Sequence, residues 1–233
     1  GRLTVWKKWG IPQAINTGDL LFSLAHLAVY RLMPEMGAEK VISAAQSLLQ
    51  TSVLLTRGQH WDMAFEGKNE ISVEEYWLMV NGKTATLLGT CCELGAVCGS
   101  MKPENRARFK LFGCELGMAF QAIDDYLGIW GDPKRIGKST ASDLIKRKKS
   151  LPVIFGLEKG DRFAKLWNRP GQSEIDAKEM AAALEKEGAK EYVLNQAREH
   201  TDRAFDALYS AAAKSDARDA IEILARELLN REN

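Results

Sequence analysis

The sequence predicts an all-α protein built from long antiparallel helices. Apolar residues recur at intervals of three and four almost throughout, and no run alternates polar and apolar positions long enough for a strand. Helix-boundary residues fall where the apolar stretches begin and end. Ser72 with Glu75 spells a capping box, Pro103 suits a first helical turn, and Ser173 and Asp216 suit N-caps. Gly37, Gly67, Gly131, Gly160 and Gly188 punctuate the segments.

Taken in order, the pattern predicts a first helix over Ile15 to Leu32; the Asn16, Thr17 and Asp19 cluster suits its cap, with hydrogen bonding near the site as the other reading. A second covers Ala38 to Arg57, and Gln59 and Asp62 follow on a helix ending near Phe65. Val73 to Ser100 and Glu104 to Trp130 are the long ones. The remainder are expected over Leu151 to Glu158, Arg162 to Asn168, Glu174 to Glu187, Lys190 to Lys214 and Ala217 to Leu229. Two helices longer than 25 residues point to an antiparallel bundle around a central cavity. With 233 residues and 45% hydrophobic content, residues 1–233 read as one domain with a sizeable core.

Composition excludes several functions. A net charge of +1 gives no basis for nucleic-acid binding. Four cysteines, at 91, 92, 98 and 114, lack CxxC spacing and read as buried or reduced thiols, and the three histidines make no zinc pattern. The longest apolar stretch, Ala85 to Met101, falls short of the ~20 residues needed to span a bilayer. No signal peptide is visible, so a cytoplasmic location is expected.

Chemistry concentrates between Gly117 and Ile154, GMAFQAIDDYLGIWGDPKRIGKSTASDLIKRKKSLPVI. Gln121, Asp124 and Asp125 fall at i, i+3 and i+4 on one helix, with Phe120, Ile123, Leu127 and Ile129 around them. Two carboxylates withdrawn from water cost several kcal/mol each unless a cation compensates. Mg2+ meets that need, joining one or two carboxylates to phosphate oxygens. Lys138, Asp143, Lys148 and Lys149 follow, so the segment reads as carboxylates for metal and lysines for phosphate.

FQAIDDYLGIWGDP, GKSTASDL and RKKSLPVI resemble the second aspartate-rich region of the trans-isoprenyl diphosphate synthases, the polyprenyl synthetase family. Residues 1–25, GRLTVWKKWGIPQAINTGDLLFSLA, look like the segment after that family's first aspartate-rich motif. Gly58-Gln59-His60-Trp61-Asp62 matches its GQxxD element, and Gly82-Lys83-Thr84 its GKT. The second motif here reads Asp124-Asp125-Tyr126-Leu127-Gly128, with glycine in place of the usual third aspartate, a variant similar to some bacterial geranylgeranyl diphosphate synthases.

The resemblance implies a bundle of the isoprenoid-synthase type and a Mg2+-dependent head-to-tail condensation of isopentenyl diphosphate with an allylic prenyl diphosphate. It implies Asp124 and Asp125 as metal ligands and three Mg2+ ions per active site. Lys83, Lys138 and Gln121 take catalytic roles; Thr84, Phe120, Lys148, Gln59 and Asp62 join them in binding substrate, with Lys149 a rival for the place of Lys148. Asp143 is expected to orient the lysines. A first DDxxD motif and an Arg pair are expected before Gly1, in a longer polypeptide. The resemblance further implies a homodimer, with a heteromer as the other possibility. Product length stays open, with geranylgeranyl diphosphate favoured by the DDxxG ending. Two alternatives stand beside this reading: a class I terpene cyclase, and a non-catalytic partner subunit of a heteromeric synthase.

Overall fold

The computed structural model describes residues 2–68, 70–132, 141–169 and 174–230, and no strand occurs among them. The chain divides into two compact units, Gly1–Gln50 and Thr51–Asn233. The first holds α1 (Val5–Trp9), α2 (Ile11–Tyr30), α3 (Met33–Met36) and the beginning of α4 (Ala38–Gly67). Gly10 ends α1 at a φ of 86°, a conformation that favours glycine, and Pro12 pre-sets the first turn of α2. The second helix therefore starts ahead of the predicted Ile15. Asn16, Thr17 and Asp19 lie inside it and cap nothing; the Thr17 hydroxyl donates back to the Gln13 carbonyl at 2.7 Å. None of the residues of α2 is buried. Trp9 and Ile15 are each 59% exposed, and Leu21 is 61% exposed.

The second unit holds the rest of α4, then α5 (Val73–Val80), a π-helical segment (Asn81–Ala85), α6 (Thr86–Cys98) and α7 (Pro103–Trp130). After these come α8 (Ser142–Ile145), α9 (Leu151–Lys159), α10 (Arg162–Trp167), α11 (Glu174–Lys186), α12 (Ala189–Ala211) and α13 (Asp216–Leu229). The capping box forms as expected: Ser72 Oγ accepts from the Glu75 N–H at 3.2 Å, and Glu75 Oε2 accepts from the Ser72 N–H at 3.1 Å. At α13 the cap is Ser215, one residue before the predicted Asp216; its Oγ accepts from the Arg218 N–H. Ser173 lies outside the described residues.

Small residues set how closely the long helices cross. A Cβ placed on Gly58 would collide with the backbone N of Lys83 and stand 2.7 Å from the Gly82 carbonyl carbon. On Gly117 it would stand 2.6 Å from Ala85 Cα, and on Gly113 2.5 Å from the Leu88 carbonyl oxygen. Helix α4 thus meets the π segment, and α7 meets α6, backbone against backbone and antiparallel. The tertiary crossing explains why α4 continues through Gly58, although glycine costs a helix interior roughly 1 kcal/mol against alanine. On its other faces α7 buries Phe112 and Leu116 against Ala204 and Leu208 of α12. Tyr76, Val80, Ala122, Leu151 and Ile154 close a second apolar cluster. An apolar cavity of about 520 Å³ lies beside α6, α7 and α13, lined by Cys92, Phe112, Leu116, Ile221 and Leu228.

Candidate active site

The helix crossings deliver the motif residues to one place. Because Gly58 lets the backbone of Lys83 come in close, Asp62, one turn further along α4, receives the Lys83 ammonium, Nζ to Oδ2 2.5 Å. Lys83 sits in the π segment, where the Thr86 hydroxyl bonds the Asn81 carbonyl five residues back at 2.7 Å. Such single-turn bulges occur preferentially at functional positions. Next to it, Thr84 Oγ1 donates to Gln121 Oε1 at 3.2 Å, and the Gln121 amide Nε2 donates to Asp125 Oδ1 at 3.0 Å. The GKT residues and the paired aspartates are thereby joined across α7.

The two adjacent aspartates have different surroundings. Asp124 is half-buried, whereas Asp125 has no exposed surface at all. Asp125 Oδ1 accepts from Gln121 and from Lys148 Nζ at 3.1 Å; Oδ2 accepts from the Tyr76 hydroxyl at 2.7 Å and the Leu151 N–H at 2.8 Å. A carboxylate offers about four lone-pair positions, and here all four are used within the protein. Breaking one of these bonds would leave a buried donor unpaired, at a cost of about 1–3 kcal/mol.

Lys148 also lies 3.7 Å from Asp143 Oδ2. Burial works against its charge, but Asp125, Asp143 and Asp124 outweigh that and hold its ammonium above the usual lysine value. Lys149 is turned elsewhere: its Nζ donates to the Phe65 carbonyl at 2.7 Å and the Glu66 carbonyl at 3.3 Å, closing the end of α4. Burial, aided by Arg147, lowers the Lys149 value. A cavity of about 170 Å³ opens among Asp62, Met79, Lys146, Lys148 and Lys149, so one member of each ion pair, Asp62 and Lys148, borders the same space.

Phe120 is half-buried and packs against the α7–α12 core. Gln59 is exposed and makes no hydrogen bond to this cluster among the described residues. Lys138 lies outside the described residues. Sequence motifs did not single out Tyr76, the Leu151 N–H or the Gly58–Gly82 crossing. For Tyr76 a signal existed, since a tyrosine on the buried face of an apolar helix needs a partner for its hydroxyl. Among the described residues no three His, Cys, Asp or Glu side chains gather at metal-binding distance.

Comparison with known proteins follows the same outline. The family model described as polyprenyl synthetase matches residues 1–186. A geranylgeranyl diphosphate synthase of Mycobacterium tuberculosis is 39% identical over 222 residues, covering 93% of this chain and 62% of the relative. The chain therefore spans less than two thirds of that relative's length. Among solved structures, a geranylgeranyl pyrophosphate synthetase from Pyrococcus horikoshii superposes with a TM-score of 0.91 at 33% identity, over 100% of this chain and 71% of that one. A polyprenyl synthase from Caulobacter crescentus, complexed with calcium and isoprenyl diphosphate, superposes with a TM-score of 0.83 at 28% identity, over 100% and 70%.

Proposed function

Because the chain belongs to the polyprenyl synthetase family, we propose that it serves a prenyltransferase that joins isopentenyl diphosphate head-to-tail to an allylic prenyl diphosphate. The observation carrying this reading is the bonding of Asp62 with Lys83, and of Thr84, Gln121, Asp125 and Lys148 in one chain, two clusters that reach the same small cavity through Asp62 and Lys148. Two ammonium groups fixed by buried or half-buried carboxylates suit a diphosphate, whose charge grows as it leaves.

The groups bonded around Asp125, next to Asp124 in the chain, are carboxylate, amide and hydroxyl with one ammonium and no sulfur or imidazole, a donor chemistry that fits a hard divalent cation at Asp124. Asp124 would hold Mg2+, with three ions per active site as the resemblance implies. Bound there, it would neutralise the departing diphosphate as a Lewis acid. Lys83 and Lys148 hold positive charge against the same leaving group, and Lys138 is assigned to the same task. Gln121, fixed at both ends of its amide, and the Thr84 hydroxyl line its approach; for Phe120 and Gln59 only the family resemblance supports a substrate-binding role. The allylic C–O bond ionises, the double bond of isopentenyl diphosphate attacks C1, and a proton leaves to the released pyrophosphate. Holding both diphosphates at a fixed separation supplies the orientation.

A short- to medium-chain product fits the named relatives, with geranylgeranyl diphosphate preferred. A homodimer fits the exposed apolar residues of α1 and α2, among them Trp9, Ile15 and Leu21. Four free cysteines fit a reducing cytoplasm. No helix among the described residues is long and apolar enough to cross a membrane.

The test is incubation of the full-length protein with Mg2+, labelled isopentenyl diphosphate and each allylic diphosphate in turn, with chromatography of the products. Labelled prenyl diphosphate supports the reading. Pyrophosphate and a hydrocarbon from the allylic substrate alone would replace it with a cyclase, and turnover only after a second protein is added would make the chain a partner subunit.

A further inference from the structure

Tyr76 takes no part in any sequence motif discussed above, yet its hydroxyl ends on the carboxylate around which the candidate site is organised. It is 1% exposed on α5, four residues after the capping-box Ser72, and its ring meets Trp77 edge-on at 5.0 Å. A buried phenol has little freedom, and its hydroxyl donates to Asp125 Oδ2 at 2.7 Å. The backbone N–H of Leu151, at the start of α9, holds the same oxygen.

With Oδ2 pinned from two elements, the carboxylate plane cannot swing, and Oδ1 is left in one orientation. That oxygen is the shared acceptor of Gln121 and Lys148, which come from α7 and from the segment between α8 and α9. Among the described residues Gln121 and Lys148 are joined by their common acceptor, Asp125 Oδ1. We propose that Tyr76 is a positioning residue which, through Asp125, holds Lys148 and Gln121 toward the bound diphosphate. Asp125 then acts as an internal anchor, and of the adjacent pair Asp124 serves the metal. The role rests on the prenyl-transfer reading, while the bonding that underlies it is local and can be measured without turnover.

The full-length protein carrying Tyr76→Phe keeps the ring and loses one charge-assisted hydrogen bond; Asp125→Asn keeps the shape and loses the charge. Steady-state kinetics of Tyr76→Phe should show KM for the allylic diphosphate raised about tenfold, kcat changed less than about threefold, and the Mg2+ concentration for half-maximal rate unchanged. Asp125→Asn should move KM further in the same direction with the same Mg2+ requirement, whereas Asp124→Asn should raise that requirement by more than about tenfold. Independently of activity, acylation of Lys148 by an amine-reactive ester, followed by peptide mass spectrometry on the Mg2+-free protein, should run about threefold faster in Tyr76→Phe. Unchanged Lys148 labelling, an unchanged KM, or an Asp125→Asn variant that needs as much extra Mg2+ as Asp124→Asn would each overturn the proposal. If the parent protein turns over no prenyl diphosphate, the functional reading fails, and the labelling experiment alone decides whether Tyr76 positions Lys148.

Discussion

The carboxylate of Asp143 occupies the space into which a side chain on Gly128 would project: a Cβ at 128 would collide with Asp143 Oδ2 and stand 2.6 Å from its Cγ. Gly128 is the position at which the family motif usually carries a third aspartate. Here the bare backbone of α7 receives a carboxylate from α8, and that carboxylate faces Lys148.

Alanine at 128 is therefore expected to be unfavourable, although alanine in a helix interior normally gains roughly 0.5–1 kcal/mol over glycine. The displaced Asp143 should cost more than that, leaving Gly128→Ala about 1–3 kcal/mol less stable in urea unfolding. In an Asp143→Ala background the same substitution should cost far less or become favourable, and a double-mutant cycle reads the coupling directly. Equal effects in both backgrounds would show that the two residues do not share the space.

The Asp62–Lys83 pair should matter to activity and little to folding. Both side chains keep partial access to solvent, 24% and 34%, and such pairs contribute no more than about 1 kcal/mol. Asp62→Asn is expected to shift the urea midpoint slightly while lowering kcat/KM about tenfold or more, because Lys83 loses the group that aims it. A large stability loss with intact kinetics would reverse this assignment.

Gly58→Ala should do the opposite. Its added methyl meets backbone atoms of Gly82 and Lys83, which cannot swing aside as a side chain would. A loss of about 2–4 kcal/mol is expected in thermal or urea unfolding, with Gly82→Ala behaving similarly against the Leu54 carbonyl oxygen at 2.9 Å.

Glu115 sets an acid limb to stability. Burial acts to raise its pKa, but hydrogen bonds from His200 and Arg203 overcome that and leave it below the ordinary glutamate value. A carboxylate with a depressed folded-state pKa contributes stability that is present above its unfolded value and is lost as pH falls through the folded one. Glu115→Gln should lower the melting temperature at neutral pH and flatten its decline below about pH 4.5, which a series of melts between pH 3 and 7 will show.

The helical class was legible because apolar spacing and caps such as Ser72–Glu75 act locally. Two boundaries shifted: the helix predicted to end at Arg57 continues through Gly58, where a tertiary crossing needs a bare backbone, and the cap of α13 is Ser215 in place of its neighbour Asp216. At the site, Asp62, Lys83, Gln121 and Lys148 could be picked from spaced motifs, and the structure adds which of them touch. Lys148 and Lys149, equivalent as neighbouring lysines, separate only once one is seen at Asp125 and the other at the end of α4. Tyr76 and Asp125 are 49 positions apart, and no local pattern joins them.

The π segment between α5 and α6 imposes a different kind of constraint on this chain. It inserts a phase slip into one continuous helical path, so that Tyr76 upstream and the glycine-lined crossing downstream each mesh with α7 in their own register. Substitutions inside 81–85 alter single teeth of this gearing. Removing one residue there would change the register of one stretch against the other, so the length of the segment is constrained along with Gly82 and Lys83 inside it.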